Sequence, residues 1–520
     1  MASTSKTSTN ELAKMENTNW EPVNDEMAVD ITEYEGTIPP GLQGEFVRNG
    51  PNAHMGIKGL HLFDGDGMLH ALRLYKSSDG SMKARYINRY VQTPRLQEER
   101  KAKRDLFMRI GQLRGRLGII RMLLYPLRQM LGMAGKMDKA DRRTGTQNTA
   151  LAYFRKRLLA LVESSLPFSV KMLQDGDFES ECYESYGEKL NQPVSAHSKV
   201  DPETGEFLIY GYDLLSKPYC KYAIVDKDGN LSHRLDVEIP RPVMMHDFAV
   251  TKNYTIFLDM PLIFDPKRMA RDWQYSYPFR FDASIKARFG ICPRYAKSMD
   301  EFTWFETRPC YVFHTMNAYE DPENPRKIVL HSCRFEHIEL EFDNSASPAL
   351  VKWTFDLDTK EMTEELIVDN GKDTLENPVE IHGEFPRIND SYVGRVNRYG
   401  WFVEQDSDKG TFIAVVKLDL QQRSVAGCID FSSSLGKPPG TMTGGECVFA
   451  PNTTTITTTE DGGYLMTFLY DTAAKESYYC VWDAATMAEA PVVKMKLPRR
   501  VPYGFHGMWV SEEQIQSGLH

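Results

Sequence analysis

From about residue 40 to residue 510 the chain alternates short apolar runs, rich in Val, Ile, Tyr, Phe and Thr, with clusters of Gly, Asp and Asn. β-Branched and aromatic side chains fit a pleated surface, while Gly, Asp and Asn supply the backbone of tight turns, so the pattern predicts many antiparallel strands. Phe63 to Met68, between His61-Leu62 and the run Leu69 to Leu74, reads as one turn. Asp226 to Asn230, between Tyr222 to Val225 and Leu231, reads as a second, and Glu460 to Gly463, ahead of Tyr464 to Tyr470, as a third. These units follow one another without alternating helices, which argues against a parallel α/β sheet. A repeated architecture removes the sheet edges that so many strands would otherwise expose, and the expected fold is an all-β propeller. No clean period of about 40 to 50 residues is visible, so the blade count does not follow from the pattern.

One segment departs from this texture. Between Asp105 and Arg143, Leu117, Ile120, Leu124, Leu127 and Leu131 recur at spacings of three and four, which stacks them on one helical face. Arg114, Arg121 and Arg128 form a seven-residue series on another. The pattern predicts an amphipathic helix pair bent at Pro126. Two uses are open: a cap packed on the propeller, or a cap whose apolar face also dips into a membrane surface. In the second case Arg109, Arg116, Lys136, Lys139, Arg142 and Arg143 would lie near anionic headgroups. Residues 1–35, polar and poor in aromatics, are expected to form a disordered tail. Residues 36–520 are expected to form one domain that includes the helical cap at about 105–143.

Composition narrows the class. The 520 residues are 41% hydrophobic, enough for a sizeable core, yet mean hydropathy is -0.45 and no apolar stretch is long enough to span a bilayer. A net charge of -10 offers no basic face for a phosphate backbone, so a nucleic-acid partner is not expected. The opening MASTSKTSTNELAKMENTN has no signal-peptide apolar run, and it carries Glu11 and Glu16 without Arg, unlike a transit peptide. A cytoplasmic location with peripheral membrane contact is the expectation. Eight cysteines without a C-x-x-C pair read as scattered reduced thiols.

Four of the twelve histidines lie inside apolar, strand-like text: His197 after Val194-Ser195-Ala196, His246 after Val243-Met244-Met245, His314 after Tyr311-Val312-Phe313, and His506 after Tyr503-Gly504-Phe505. Any one alone reads as a satisfied core histidine. Their separations of 49, 68 and 192 residues place them on different supersecondary units, and inner strands of separate propeller blades approach one axis. A ring of imidazoles there would be a metal site. Structural zinc usually takes thiolate and catalytic zinc three protein ligands, whereas four neutral imidazoles leave the full charge on the ion and, in an octahedral ion, two positions suited to dioxygen. A two-histidine, one-carboxylate iron site built on His246-Asp247 is disfavoured, because adjacent strand residues point to opposite faces. Glu163, Glu384 and Glu446 also sit in apolar text. Each needs a partner when buried: an imidazole N–H of the ring, or an arginine such as Arg387 or Arg157.

Several long motifs occur in order: Gly44-Glu45-Phe46-Val47-Arg48-Asn49-Gly50-Pro51-Asn52, His61-Leu62-Phe63-Asp64-Gly65-Asp66-Gly67-Met68, Met245-His246-Asp247-Phe248, Gly383-Glu384-Phe385-Pro386-Arg387-Ile388-Asn389 and Pro502-Tyr503-Gly504-Phe505-His506-Gly507. With these motifs the chain resembles the carotenoid cleavage dioxygenase family from about residue 36 to its end. The resemblance implies a seven-bladed propeller with a helical dome over an axial, non-haem Fe(II) held by His197, His246, His314 and His506. It implies that Glu163, Glu384 and Glu446 orient three of those histidines. Stretches such as Arg288 to Lys297 are most similar to the cytosolic plant-type branch that cleaves carotenoids and apocarotenoids at the 9,10 and 9′,10′ double bonds, with O₂, to carbonyl products. Three other readings stay open on the same scaffold: cleavage of a phenolic stilbene, for which a Lys and Tyr pair should anchor the phenol; a non-catalytic apocarotenoid carrier; and a retinoid isomerase that consumes no O₂.

Overall fold

Strands such as Phe207–Tyr212 and Tyr254–Asp259 are buried along almost their whole length, because the sheets that contain them are covered on both faces. Outer strands such as Leu231–Val237 and Met362–Leu366 instead show exposed positions at every second residue, as expected where one face meets water. The computed structural model describes residues 18–56, 60–135, 143–271, 277–340, 348–368, 382–406, 409–454 and 459–519.

Seven antiparallel sheets of four or more strands are arranged as the blades of a propeller. Their leading strands lie beside one another. Gly507–Ser511 meets Ala150–Phe154, which meets Lys199–Val200; Phe248–Val250 meets Tyr311–Glu320, which meets Gly383–Arg387; and Val448–Pro451 returns to Gly507–Ser511. Both ends of the chain close the ring. Gly507–Ser511 pairs with Gly44–Asn52 in the first blade, while Tyr34–Gly36 adds an outer strand to the last blade against Val493–Lys496.

The apolar core is divided. Each large cluster mixes residues of two neighbouring blades: Leu208 and Tyr222 with Phe248 and Phe257, Phe289 and Phe305 with Trp353 and Phe355, and Trp401 and Val415 with Leu465 and Trp482. Hydrophobic burial therefore holds blade to blade. The axis is left for polar side chains.

Several details differ from the sequence expectations. The disordered tail expected through residue 35 is contradicted by Met27–Ile31, which pairs with Met82–Tyr90, so order begins before residue 36. The expected turn Phe63 to Met68 runs into the strand Asp66–Lys76, and the connection from Gly44–Asn52 is a longer loop. Asp226 to Asn230 does form a turn, between Cys220–Val225 and Leu231–Val237.

In place of a helix pair within 105–143, the described residues hold one 3₁₀ turn, Ile110–Gln112, and one helix, Gly115–Met130, with Pro126 inside it. A further helix, Pro94–Ala102, precedes them; Thr93 caps it and Pro94 starts it. Gly115–Met130 packs through Gly118, Tyr125 and Met269 of the neighbouring helix Pro266–Arg271. The predicted stripe Leu117, Ile120, Leu124, Leu127 and Leu131 faces outward instead of onto the propeller, with Leu123 at 74% and Met130 at 85% exposure. No helix among the described residues is long and apolar enough to cross a membrane. Lys136, Lys139 and Arg142 lie outside the described residues. Arg109 is buried against Glu99 and Asp105, so it is not available to a headgroup, and Arg143 pairs with Glu188.

Candidate metal centre

The four histidines come to the axis because each stands at the head of a leading strand or in it. His197 lies just ahead of Lys199–Val200, His246 just ahead of Phe248–Val250, His314 within Tyr311–Glu320, and His506 immediately ahead of Gly507–Ser511. The Met244 to His246 backbone lacks regular strand pairing, and hydroxyls hold it. Tyr311 Oη donates to the Met244 carbonyl at 3.1 Å, Tyr210 Oη to Met245 at 2.6 Å and Ser195 Oγ to His246 at 2.9 Å. Asp247 turns the other way, accepting from Lys199 Nζ at 3.0 Å and from the Thr315 N–H and hydroxyl at 2.8 Å each. It ties three inner segments together and takes no part in the imidazole ring.

The rings meet closely. Centroid separations are 4.5 Å for His197–His246, 4.8 Å for His197–His314, 4.6 Å for His197–His506, 5.0 Å for His246–His314 and 4.9 Å for His314–His506. One nitrogen from each ring lies within 4.8 Å of the corresponding atom on every other. Nε2 of His246 stands 2.9 Å from that of His197 and 3.2 Å from that of His314. All four side chains are buried.

Carboxylates stand behind three of the rings. Glu384 Oε2 lies 2.5 Å from His314 Nδ1, and Glu446 Oε1 lies 3.0 Å from His506 Nδ1. Glu163 Oε1 stands against His246 Nδ1. Among the described residues no carboxylate reaches His197. Glu446 satisfies both partners foreseen for it, since Arg387 is 3.8 Å from the same oxygen. Arg157 pairs with Glu181 and not with Glu163. Glu163 also lies past the end of Arg157–Leu161, in a connection rather than a strand.

This donor set fits a divalent cation. A carboxylate behind Nδ1 orients each ring and aims its Nε2 inward, so the Nε2 atoms of His246 and His314 converge in a buried space. A cation between them would be met by both nitrogens. Three glutamates against Arg387 leave two net negative charges around the ring, the complement of a divalent ion. Burial, with the three neighbouring rings, pushes His197 well below the ordinary imidazole range and keeps it neutral. Burial likewise leaves His506 lowered despite Glu446, whereas at His314 burial is outweighed by Glu384 together with Asp247 and Glu446, and the value is raised.

Comparison with known proteins is decisive about kinship. The family described as Retinal pigment epithelial membrane protein (RPE65) matches residues 20–511. The chain is 39% identical over 501 residues to the carotenoid 9,10(9′,10′)-cleavage dioxygenase of Crocus sativus, covering 92% of this chain and 86% of that protein. It is 38% identical over 515 residues to carotenoid 9,10(9′,10′)-cleavage dioxygenase 1 of Phaseolus vulgaris, covering 96% and 89%. The chain belongs to the RPE65/carotenoid cleavage dioxygenase family. As a member it is an enzyme of the dioxygenase class. The lignostilbene dioxygenase of Pseudomonas brassicacearum superimposes on this carotenoid cleavage dioxygenase relative with a TM-score of 0.76 at 24% identity, over 94% of this chain and 96% of that one, which speaks for the shared fold.

The structure brings together all seven residues singled out in the sequence, and it adds three to which sequence reasoning gives no role. Phe385 has a left-handed backbone, φ 51°, in a strand whose pairing is irregular between Glu384 and Arg387. That bulge turns consecutive side chains to one side, so Glu384 reaches His314 while Phe385 stacks on the same ring at 5.5 Å and 24°. Phe313 meets His246 edge-on at 4.9 Å. Tyr212 donates from its hydroxyl to Glu163 Oε2. An alternating-strand reading would have turned Phe385 and Phe313 away from the ring.

Proposed function

We propose that this chain is a non-haem Fe(II) dioxygenase that cleaves double bonds of carotenoids or apocarotenoids, at the 9,10 and 9′,10′ positions. The observation that carries the proposal is the buried ring of His197, His246, His314 and His506, backed by Glu163, Glu384 and Glu446. When bound, the iron supplies the activation of O₂, which no side chain of the ring can supply. The carboxylates hold protons on Nδ1, so that Nε2 stays free to donate a lone pair. Phe313 and Phe385 place apolar walls beside the rings and exclude water. The remaining contribution is to hold an apolar polyene against the site in the reacting orientation.

In the proposed reaction one O₂ is consumed per double bond broken, and each carbon of the former alkene leaves as an aldehyde or ketone carbonyl, so no external reductant is needed. The substrate class rests on the plant relatives at 38 and 39% identity. The likeness to a lignostilbene enzyme lies below the level at which it says more than fold. Peripheral membrane contact through Gly115–Met130 belongs to the same proposal, because a lipid-borne substrate needs a port and the outward apolar stripe offers one. A cytoplasmic location is part of it too, and fractionation of cells tests it.

The test is product mass analysis. The chain, reconstituted with Fe(II), is incubated in air with a panel of carotenoids, apocarotenals and resveratrol. The expected result is carbonyl fragments of the polyenes whose summed mass exceeds that of substrate by one O₂ for each double bond broken. Cleavage of the stilbene alone, an isomer of unchanged mass, or binding without conversion would each contradict it.

A further inference from the structure

We infer that Tyr212 is a positioning residue for the histidine ring, acting through Glu163; the inference rests on the metal site proposed above. The three carboxylates behind the ring are anchored in different ways. Glu384 Oε2 accepts from the Phe385 N–H at 2.7 Å, so the backbone of its own strand fixes it. Glu446 Oε2 accepts from the Gly507 N–H at 2.7 Å, with Arg387 beside its other oxygen. Glu163 has no such support. It stands in the connection between Arg157–Leu161 and Phe168–Met172 and takes no backbone N–H among the described residues. Its side chain is also the most exposed of the three, at 17% against 9% and 2%.

What fixes Glu163 is the phenol. Tyr212 closes the strand Phe207–Tyr212, paired there with Cys220, and its hydroxyl donates to Glu163 Oε2. The opposite oxygen, Oε1, meets His246 Nδ1. With no backbone N–H behind it, that single contact leaves the carboxylate free to pivot, so the second oxygen needs its own partner. A phenol-to-carboxylate bond is charge-assisted and stronger than a neutral one. The chain Tyr212, Glu163, His246 thus runs from a rigid strand, across a loop, to a ring whose own backbone lies outside regular strand pairing. Without the hydroxyl, Glu163 is free to turn toward solvent, and His246 loses the acceptor that holds its tautomer and ring plane.

The test uses the full chain freed of metal and titrated with Co(II), read by its visible absorption band and by the dissociation constant. Wild type is expected to bind one equivalent, with a band that His246→Ala removes. Tyr212→Phe is expected to weaken binding on the order of 10-fold and to shift the band, as loss of an outer partner to a ligating histidine does. In a Glu163→Gln background the same substitution is expected to add nothing further, since its effect passes through that carboxylate. Tyr222→Phe, at a buried tyrosine whose hydroxyl lies 3.2 Å from Thr255 Oγ1, is expected to leave affinity and band unchanged. Wild-type affinity and band in a folded Tyr212→Phe would overturn the inference, and so would an equal loss in both backgrounds. Absence of any His246-dependent Co(II) band in wild type would instead overturn the metal site on which the inference stands.

Discussion

At the scale of single residues, the site depends on aiming buried imidazoles at one point. A buried histidine whose Nδ1 faces a carboxylate presents Nε2 as a donor, and Glu384 does this for His314 at 2.5 Å. Glu384→Gln keeps the shape but removes the charge. Metal affinity or turnover is expected to fall about 10 to 100-fold in that variant, and iron titration with initial rates checks it; unchanged values would show that Glu384 does not support the ring. The histidines were legible because polar rings stand out in apolar strand text. Glu384 and Glu446 were legible for the same reason, their cost in an apolar run demanding partners. Glu163 stands in apolar text that runs on past the strand end at Leu161, and nothing in the sequence marks Tyr212, since one more tyrosine in a β-rich chain carries no sign of its hydrogen bond.

Among the elements, inner strands carry the chemistry and their neighbours hold them in register. Gly211 shows how tight this is: a Cβ there would lie 1.7 Å from the Pro193 carbonyl oxygen, on the segment leading to His197. Gly211→Ala is therefore expected to cost about 1 to 3 kcal/mol, seen as a lower midpoint in thermal melts; an unchanged melt would mean that the Pro193 to His197 segment yields freely.

The helix Gly115–Met130 illustrates a limit of pattern reading. Its amphipathic period was visible, but its orientation was not, because Gly115 and Gly118 pack inward while the leucines face out. Only contact with Met269, far along the chain, decides that. Replacing Leu123 and Met130 by Asp removes apolar surface worth about 1.5 to 3 kcal/mol per side chain. Binding to anionic lipid vesicles in flotation is expected to drop at least about 10-fold, with turnover of a dispersed short apocarotenal retained. Equal vesicle binding by the variant would remove this helix from the membrane proposal.

For the whole molecule, the arrangement follows from where apolar area can be hidden. Blade-to-blade clusters bury it between neighbouring sheets, which frees the axis for four histidines from four blades. The sequence carried the strand texture but not the blade count, because the closing strand Gly507–Ser511 and the outer strands Met27–Ile31 and Tyr34–Gly36 interrupt any regular period. Since no blade relies on the ring for its own core, removing one imidazole should leave the fold standing. The most direct test is the iron content per chain, after Fe(II) reconstitution and gel filtration, of wild type and of His197→Ala, His246→Ala, His314→Ala and His506→Ala. One iron in wild type and loss of iron in every variant, each with a melt close to wild type, is the predicted result. Full iron retained in any one of the four variants would contradict the four-histidine centre.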